Sequence, residues 1–203
     1  LERGARGWPG AGGFGNGRKW PILFAGLLLQ DKDMQNLKAE FGEDDQTEFG
    51  DCWTGANVVF AGQYPVLARE NPKRYGDDRG PYEHLHPSKW KSNMGEGYRR
   101  CCTSCCWVGQ ALAARIMHAE KVWNHDAFFD YCDRWMTEDD KAHREEINKY
   151  FPDPNLVNPE KTWYHQGYAQ DFPKEMWNKY RTNLPPAPDG HKDPAPTETW
   201  KKK

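Results

Sequence analysis

The sequence has no long hydrophobic run, no surplus of basic charge and no short catalytic signature. Its longest apolar stretch, Pro21 to Leu29, is too short to span a bilayer. Charges of both signs are mixed along the chain and sum to −2. The basic field that a phosphate backbone demands is therefore missing, and nucleic-acid binding is not expected. There is no G-x-S-x-G, no H-E-x-x-H, no dinucleotide fingerprint and no G-K-S/T phosphate loop. The serine-hydrolase, zincin and nucleotide-binding classes are left without support. No Asn-x-Ser/Thr acceptor occurs, so N-glycosylation is not indicated. The chain opens at Leu1 without an initiator Met or a signal-peptide pattern. It reads as a mature, processed chain or as part of a longer one.

Aliphatic residues are also scarce, and the mean hydropathy is −1.03. Ten Trp, nine Tyr and nine Phe offset this, because each aromatic ring buries a large area. A chain of 203 residues can thus build one domain with a real core. Abundant aromatics also suit a sugar-binding cleft, since pyranose rings have apolar faces. Core packing is the commoner use of any single ring.

The order of segments predicts a mainly α protein of antiparallel helical hairpins with long loops. Residues 1–18 are glycine-rich and read as a loop segment, with Trp8 and Phe14 as its anchors. Lys19 to Leu37 reads as a buried helix, apolar almost all round, with Pro21 in its first turn and an end or kink at Asp31–Asp33. Phe41 to Gly50 (FGEDDQTEFG) reads as a solvated acidic loop. Its Glu43, Asp44 and Asp45 carry the hard oxygen ligands that Ca²⁺ takes, without EF-hand spacing. Cys52 to Val66 is a short apolar segment, helical or extended. In PYEHLHP, Tyr82, Glu83, His84 and His86 lie close together. An extended H-x-H puts both imidazoles on one face, as a metal site needs, but a third ligand is lacking.

Cys105, Val108, Leu112, Ile116, Ala119 and Trp123 recur at helical spacing and predict one helix from 105 to 123. Asn124 is the expected cap of a second helix, with Phe128, Phe129, Cys132, Trp135 and Met136 as its apolar stripe. Asp126, Asp130, Asp133 and Arg134 form the opposite, polar face, with an expected Asp130–Arg134 pair. The short link predicts antiparallel packing. Further helices are expected at Lys141–Phe151 and Pro173–Arg181. Between them lies a loop that carries Trp163, Tyr164, His165 and Tyr168. The helical domain spans 19–183, and 184–203 reads as a Pro-rich, extended or disordered tail.

Six cysteines, an even number, permit disulfides: Cys52, Cys101, Cys102, Cys105, Cys106 and Cys132. On a helix the i, i+4 pairs 101/105 and 102/106 would have Cβ atoms about 5–6 Å apart. A disulfide prefers about 3.8 Å, so a bridge here needs non-helical backbone before Trp107. Cys102-x2-Cys105 has zinc-knuckle spacing without a second pair to complete it. Buried thiols with one or two disulfides are the favoured reading over metal.

Glycosidic hydrolysis needs two carboxyl groups across the bond. Eliminative cleavage of a uronic-acid polymer needs a base and a group that neutralises the uronate. Tyr98, Arg99, His84, His125 and Asp126 are the catalytic candidates on this basis, and Trp123, Trp90, His86 and Glu83 the substrate-binding ones. The plainer alternative makes His125 and Asp126 helix-start residues and uses Tyr98 and Arg99 to tie a loop.

The segments GRKWPILFAGLLL, FGEDDQT, YEHLHPS, GYRRCCTS, WVGQALAARIMHAEKVWNHDAFFDYCDRWM and MWNKYR resemble the C-terminal part of large secreted bacterial proteins. Those proteins are similar to polysaccharide lyases and glycosidases built on an (α/α) toroid. The resemblance covers roughly residues 7 to 181 and rests on aromatic-rich helices and long loops. It implies part of a toroid, since the helices are too few to close one. It also implies a secreted, periplasmic or extracellular location and an acidic polysaccharide as partner, with lyase-type cleavage as the chemistry. No family site motif is matched, so it carries over no catalytic residue. The alternatives are a structural or assembly subunit of an extracellular polymer, joined to other segments or subunits, and a cysteine-based metal or redox module.

Overall fold

The computed structural model describes residues 7–10, 13–71, 73, 83–157, 171–187 and 199–201. Among the described residues it is mainly helical, as expected, with a few short strands and no closed barrel. In chain order, β1 (Gly7–Trp8) is followed by α1 (Lys19–Leu29), α2 (Lys32–Gln35), β2 (Glu40–Phe41) and the single turn α3 (Gly42–Asp45). Next come β3 (Thr47–Phe49), β4 (Val58–Phe60), α4 (Pro65–Glu70) and a 3₁₀ turn at Pro87–Lys89. Then α5 (Met94–Tyr98) runs through a π-helical segment (Arg99–Thr103) into α6 (Ser104–Ile116). The remaining helices are α7 (Glu120–Trp123), α8 (Asp126–Thr137), α9 (Lys141–Tyr150), α10 (Pro154–Val157) and α11 (Asp171–Tyr180). β1 pairs in parallel with β2, and β3 pairs antiparallel with β4.

Several local expectations are corrected. The helix that begins at Lys19 stops at Leu29, because Gln30 turns into the left-handed region at φ 55°. Asp31 then accepts the Asp33 and Met34 N–H groups and starts α2. The first helix is not buried all round. Leu23 is enclosed, whereas Leu28 and Leu29 are 62% and 72% exposed. The helix expected from 105 to 123 breaks at His118, where φ is 53°. The Ala119 N–H reaches the Ala114 carbonyl at 2.8 Å and the His118 N–H reaches Arg115 at 2.9 Å. These two bonds form a Schellman stop, built here on a histidine. Asn124 is also left-handed, at φ 59°, and His125 takes the N-cap place without a side-chain cap bond.

The core gathers α6, α8 and the β3–β4 hairpin around Trp107, Trp123, Phe128, Tyr131, Trp135 and Phe60. Trp107 meets Phe128 and Tyr131 edge-on, and Trp123 stacks on Phe128 at 4.4 Å between ring centres. A smaller cluster packs Trp90, Ile147 and Leu156 together. Trp200 lies in the segment read as a loose tail, yet it is 4% exposed and belongs to the main core. Its carbonyl accepts the Asn57 N–H at 2.9 Å, and Lys201 bridges to Ala56. A large indole gains more from burial than the local Pro-rich composition suggests. At the other end Trp8 stacks on Phe41, while Phe14, the other expected anchor, is 85% exposed. The cluster at Trp163, Tyr164, His165 and Tyr168, together with Tyr82, lies outside the described residues.

The polar face expected on α8 is partly inside the protein. Asp133 and Arg134 are buried, and Arg134 pairs with Glu83 and Glu138. Asp130 accepts the Thr199 hydroxyl. The Glu83 carboxylate takes Arg134 in a two-pronged contact at 2.8 and 3.0 Å and also accepts the Phe60 N–H at 2.7 Å. Arg99 lies 3.5 Å from Glu83 and bonds Glu96 and Tyr131. Arg100 joins Glu96 to Asp140, and Arg144 joins Asp140 to the Leu156 carbonyl. A separate group sets Asp133 between Arg115 and Arg181, which ties α6 and α8 to the residue following α11.

Burial pushes the carboxyls of Glu83, Glu96 and Asp140 upward. The neighbouring arginine charges and hydrogen bonds together outweigh it and hold all three below the usual range. Groups held low in the folded state contribute stability that is present above their unfolded pKa and lost as pH falls. The urea midpoint is expected to drop below about pH 4. Glu83→Ala leaves the Phe60 N–H without its acceptor and takes from the buried Arg134 and Arg99 a carboxylate that they share, and it should cost about 3–5 kcal/mol in urea unfolding. A loss below about 1 kcal/mol would show that these bonds are not needed.

Candidate functional site

Three adjoining clefts lie where the turn Glu40–Glu48 meets the junction Trp123–Asp126. The first, about 340 Å³, is lined by Glu40, Asp44, Asp45, Glu48, Arg69 and His125, among others. The second, about 260 Å³, shares Asp44 with it and adds Lys19, Gln35, Trp123 and Asn124. The third, about 320 Å³, shares Glu48 and His125 with the first and adds Phe49 and Asp126. The second and third also share Asn124, so the three clefts adjoin one another.

The sequence places this turn by local means. Gly42 lets the chain pass Gly10 and Asn16, where a Cβ would come within 2.5 Å of the Asn16 side chain. Gly7 sits at φ 157°, and a Cβ there would strike the Glu40 carbonyl at 1.9 Å. The glycine-rich segment therefore clamps the acidic turn through the β1–β2 pair. The Gly17 N–H donates to Glu43 Oε1 at 2.6 Å and fixes the other end.

The reading of FGEDDQTEFG as a solvated loop is corrected here. Glu43, Gln46 and Thr47 are all buried. Asp44 is the hub of the turn: it accepts Lys19 Nζ at 2.5 Å and Trp123 Nε1 at 2.9 Å. Lys19 is itself buried and sits 5.0 Å from the Trp123 ring centre. Burial lowers its pKa, partly countered by Asp44. His125 Nε2 lies 2.8 Å from the Thr47 carbonyl, a geometry in which Nε2 carries the proton and donates.

The acidic groups divide by environment. Burial lifts Glu43 to about 7, opposed by the Gly17 N–H and assisted by Asp44. Asp45, at the cleft wall, is lifted to about 6 by burial and by the nearby charges of Glu40 and Asp44, with Arg69 pulling the other way. Asp45 thus keeps its proton to a higher pH than an ordinary aspartate, beside the carboxyl groups of Glu40, Asp44 and Glu48. The trio suggested for Ca²⁺ is split among these tasks. Glu43 faces Gly17, Asp44 faces Lys19 and Trp123, and Asp45 faces the cleft. Among the described residues no three Asp, Glu, His or Cys groups converge on a point that could hold a metal.

Of the residues singled out from sequence, Trp123, His125 and Asp126 come together at the clefts. The others lie elsewhere. Arg99 and Glu83 are inside the ion-pair core. Tyr98 is buried, and its hydroxyl accepts Gln46 Nε2 at 3.1 Å. Trp90 donates to the Leu85 carbonyl and stacks on Phe151 in the smaller cluster. His86 accepts the Ser88 N–H at the 3₁₀ turn and meets Trp53 and Tyr150 edge-on. His84 is exposed beside it, and the pair does not form part of a metal ligand set among the described residues. Lys19, Glu40 and Arg69 are the cleft residues that sequence reasoning passed over. The density of acids in 40–48 is the one local signal for Glu40.

A carboxyl whose folded pKa is raised leaves stability fully present below its unfolded pKa, and that stability is lost as pH rises through the folded value. For Glu43 the window runs from about 4.5 to about 7. Glu43→Gln keeps an acceptor for Gly17 and removes the ionisation. The variant should be more stable than the parent at pH 8, by up to about 3 kcal/mol, with the gain vanishing near pH 4 in urea unfolding. A gain that is the same at both pH values would show that the carboxyl does not titrate in this window.

No protein-family model, curated protein or solved structure matches the chain, so a functional assignment stands on the chemistry of these clefts.

Proposed function

We propose that the adjoining clefts bind a carbohydrate chain, with Asp45 as proton donor to a glycosidic oxygen. The observation that carries this reading is a set of adjoining clefts whose shared wall sets Asp45, its pKa raised to about 6 mainly by burial, beside the carboxyl groups of Glu40, Asp44 and Glu48. A polymer needs consecutive subsites, and hydrolysis needs an acid and a base on either side of the scissile bond. Glu40 and Glu48 share the cleft with Asp45 and supply the second carboxyl group. The exposed ring of Phe49 and the half-buried ring of His125 offer apolar surface to a sugar.

The charge of the lining bears on the substrate. A uronate polymer needs cations against its carboxylates. The first cleft offers Arg69 against Glu40, Asp44, Asp45 and Glu48, and Arg69 is 3.5 Å from Glu48. Coulomb repulsion favours a neutral or amino sugar over a uronate at this wall. Hydrolysis accordingly fits the lining better than the eliminative cleavage of an acidic polysaccharide.

A panel of neutral, amino-sugar and uronate oligomers tests this by calorimetric titration and by release of reducing ends. Saturable binding of a neutral or amino sugar is expected, and Glu48→Gln should weaken it about tenfold. Asp45→Asn should remove turnover and keep binding. The rate should fall as pH rises above about 6, where Asp45 loses its proton. Turnover of a uronate polymer with new ultraviolet absorbance from unsaturated ends would overturn the hydrolytic assignment. Failure of every sugar to bind would overturn the carbohydrate reading itself.

A further inference from the structure

The CCTSCC segment lies apart from the clefts and carries chemistry that carbohydrate binding does not use. Cys101 and Cys102 are joined to each other as adjacent residues within the π-helical segment. Cys105 and Cys106 follow on the first turn of α6 as free thiols. Their sulfurs are 3.8 Å apart, within reach of an S–H to S hydrogen bond. The Cys105 sulfur also lies 3.7 Å from the Cys101 carbonyl. Cys106 is exposed and Cys105 is half-buried. By contrast the free thiols of Cys52 and Cys132 are buried, and burial pushes both upward.

This geometry gives the two neighbouring thiols different roles. When Cys106 loses its proton, the Cys105 S–H can donate to the resulting anion, and the accessible sulfur becomes the nucleophile. We propose that Cys106 is a thiol–disulfide exchange site that takes small-molecule disulfides, with Cys105 as the positioning residue that holds the thiolate. The Cys106 thiolate attacks one sulfur of a disulfide RS–SR. A bond forms between Cys106 Sγ and SR, the RS–SR bond breaks, and RS⁻ leaves with the electron pair and takes a proton from water. The oxidant is the small disulfide itself, so atoms and electrons balance. The direction of the Cys106 shift supports this: the bond from Cys105 brings the thiol down to about 7 against the opposing effect of burial, while Cys105 moves up. Among the described residues, Cys105 is the titratable group that meets Cys106.

The test uses the whole chain and an aromatic disulfide that releases a coloured thiolate, followed by peptide mapping. The mixed disulfide is expected on Cys106, with a rate that rises through pH about 7. Cys106→Ser should remove that adduct. Cys105→Ala should move the midpoint toward the ordinary thiol value near 8.5 and slow the reaction at pH 7 by about tenfold. Its urea midpoint serves as the check on folding. If that variant does not fold, Cys105→Ser gives the same comparison with a hydroxyl in place of the thiol, expected to keep part of the effect. Modification mainly at Cys105, or the same pH midpoint with and without its thiol, would overturn the proposal.

Discussion

The Glu83 carboxylate is the contact on which most of the fold converges. It accepts the Phe60 N–H from the hairpin and both prongs of Arg134 from α8, and it faces Arg99 from the π-helical segment. Its own carbonyl accepts the Trp53 N–H. Three elements distant in sequence thus share one buried charge. An isolated carboxylate in such a place would be prohibitive, and it is tolerated because two guanidinium groups and a backbone donor surround it. Arginine suits this role better than lysine, since its planar fork meets two oxygens at once. The chain is poor in aliphatic residues and fills its interior with aromatic rings bordered by such arginine–carboxylate pairs.

The acidic turn shows the opposite electrostatic outcome. Around Glu83 and Glu96 the cations outweigh burial and the carboxyls are held low. Around Glu43 and Asp45 the neighbours are largely other acids, and burial prevails. Lys19 is spent on Asp44 and does little for Glu43 or Asp45. One region therefore favours higher pH for its stability and the other favours lower pH. A carboxyl with a raised pKa at a cleft wall, with further carboxyl groups beside it, is the arrangement from which acid–base pairs are built.

The π-helical segment has a geometric consequence. It inserts into an otherwise continuous helical run and sets Arg99 and Arg100 inward, while Cys105 and Cys106 begin the regular helix beyond it. The Ser104 hydroxyl meets Tyr131 Oη at 2.8 Å directly after the segment, which locks the register of α6 against α8. π-helical turns inside α-helices are rare and are frequent at functional sites. Here one face carries buried charge and the other carries sulfur.

The sequence by itself determined the helical class, the packing of α6 with α8, and the aromatic identity of the core. These depend on periodicity within one segment and on side-chain size. The extent of α9 was also legible, because Pro152 and the charge pattern bound it locally, whereas α11 starts two residues before the expected Pro173. The junction Trp123–Asp126 was legible as a place of interest. Its partner across the cleft was not, because Asp44 lies 79 residues from Trp123 and no local pattern links them. The same reason explains Arg99, Glu83 and Arg134. Each looks like a surface or catalytic charge when read alone, and only the tertiary structure pairs them inside the core. Trp200 is the reverse case: composition placed it in a tail, and long-range contact with the hairpin buried it. Helix type follows from neighbours a few residues apart, whereas the burial and protonation of a charge follow from whichever distant segments surround it.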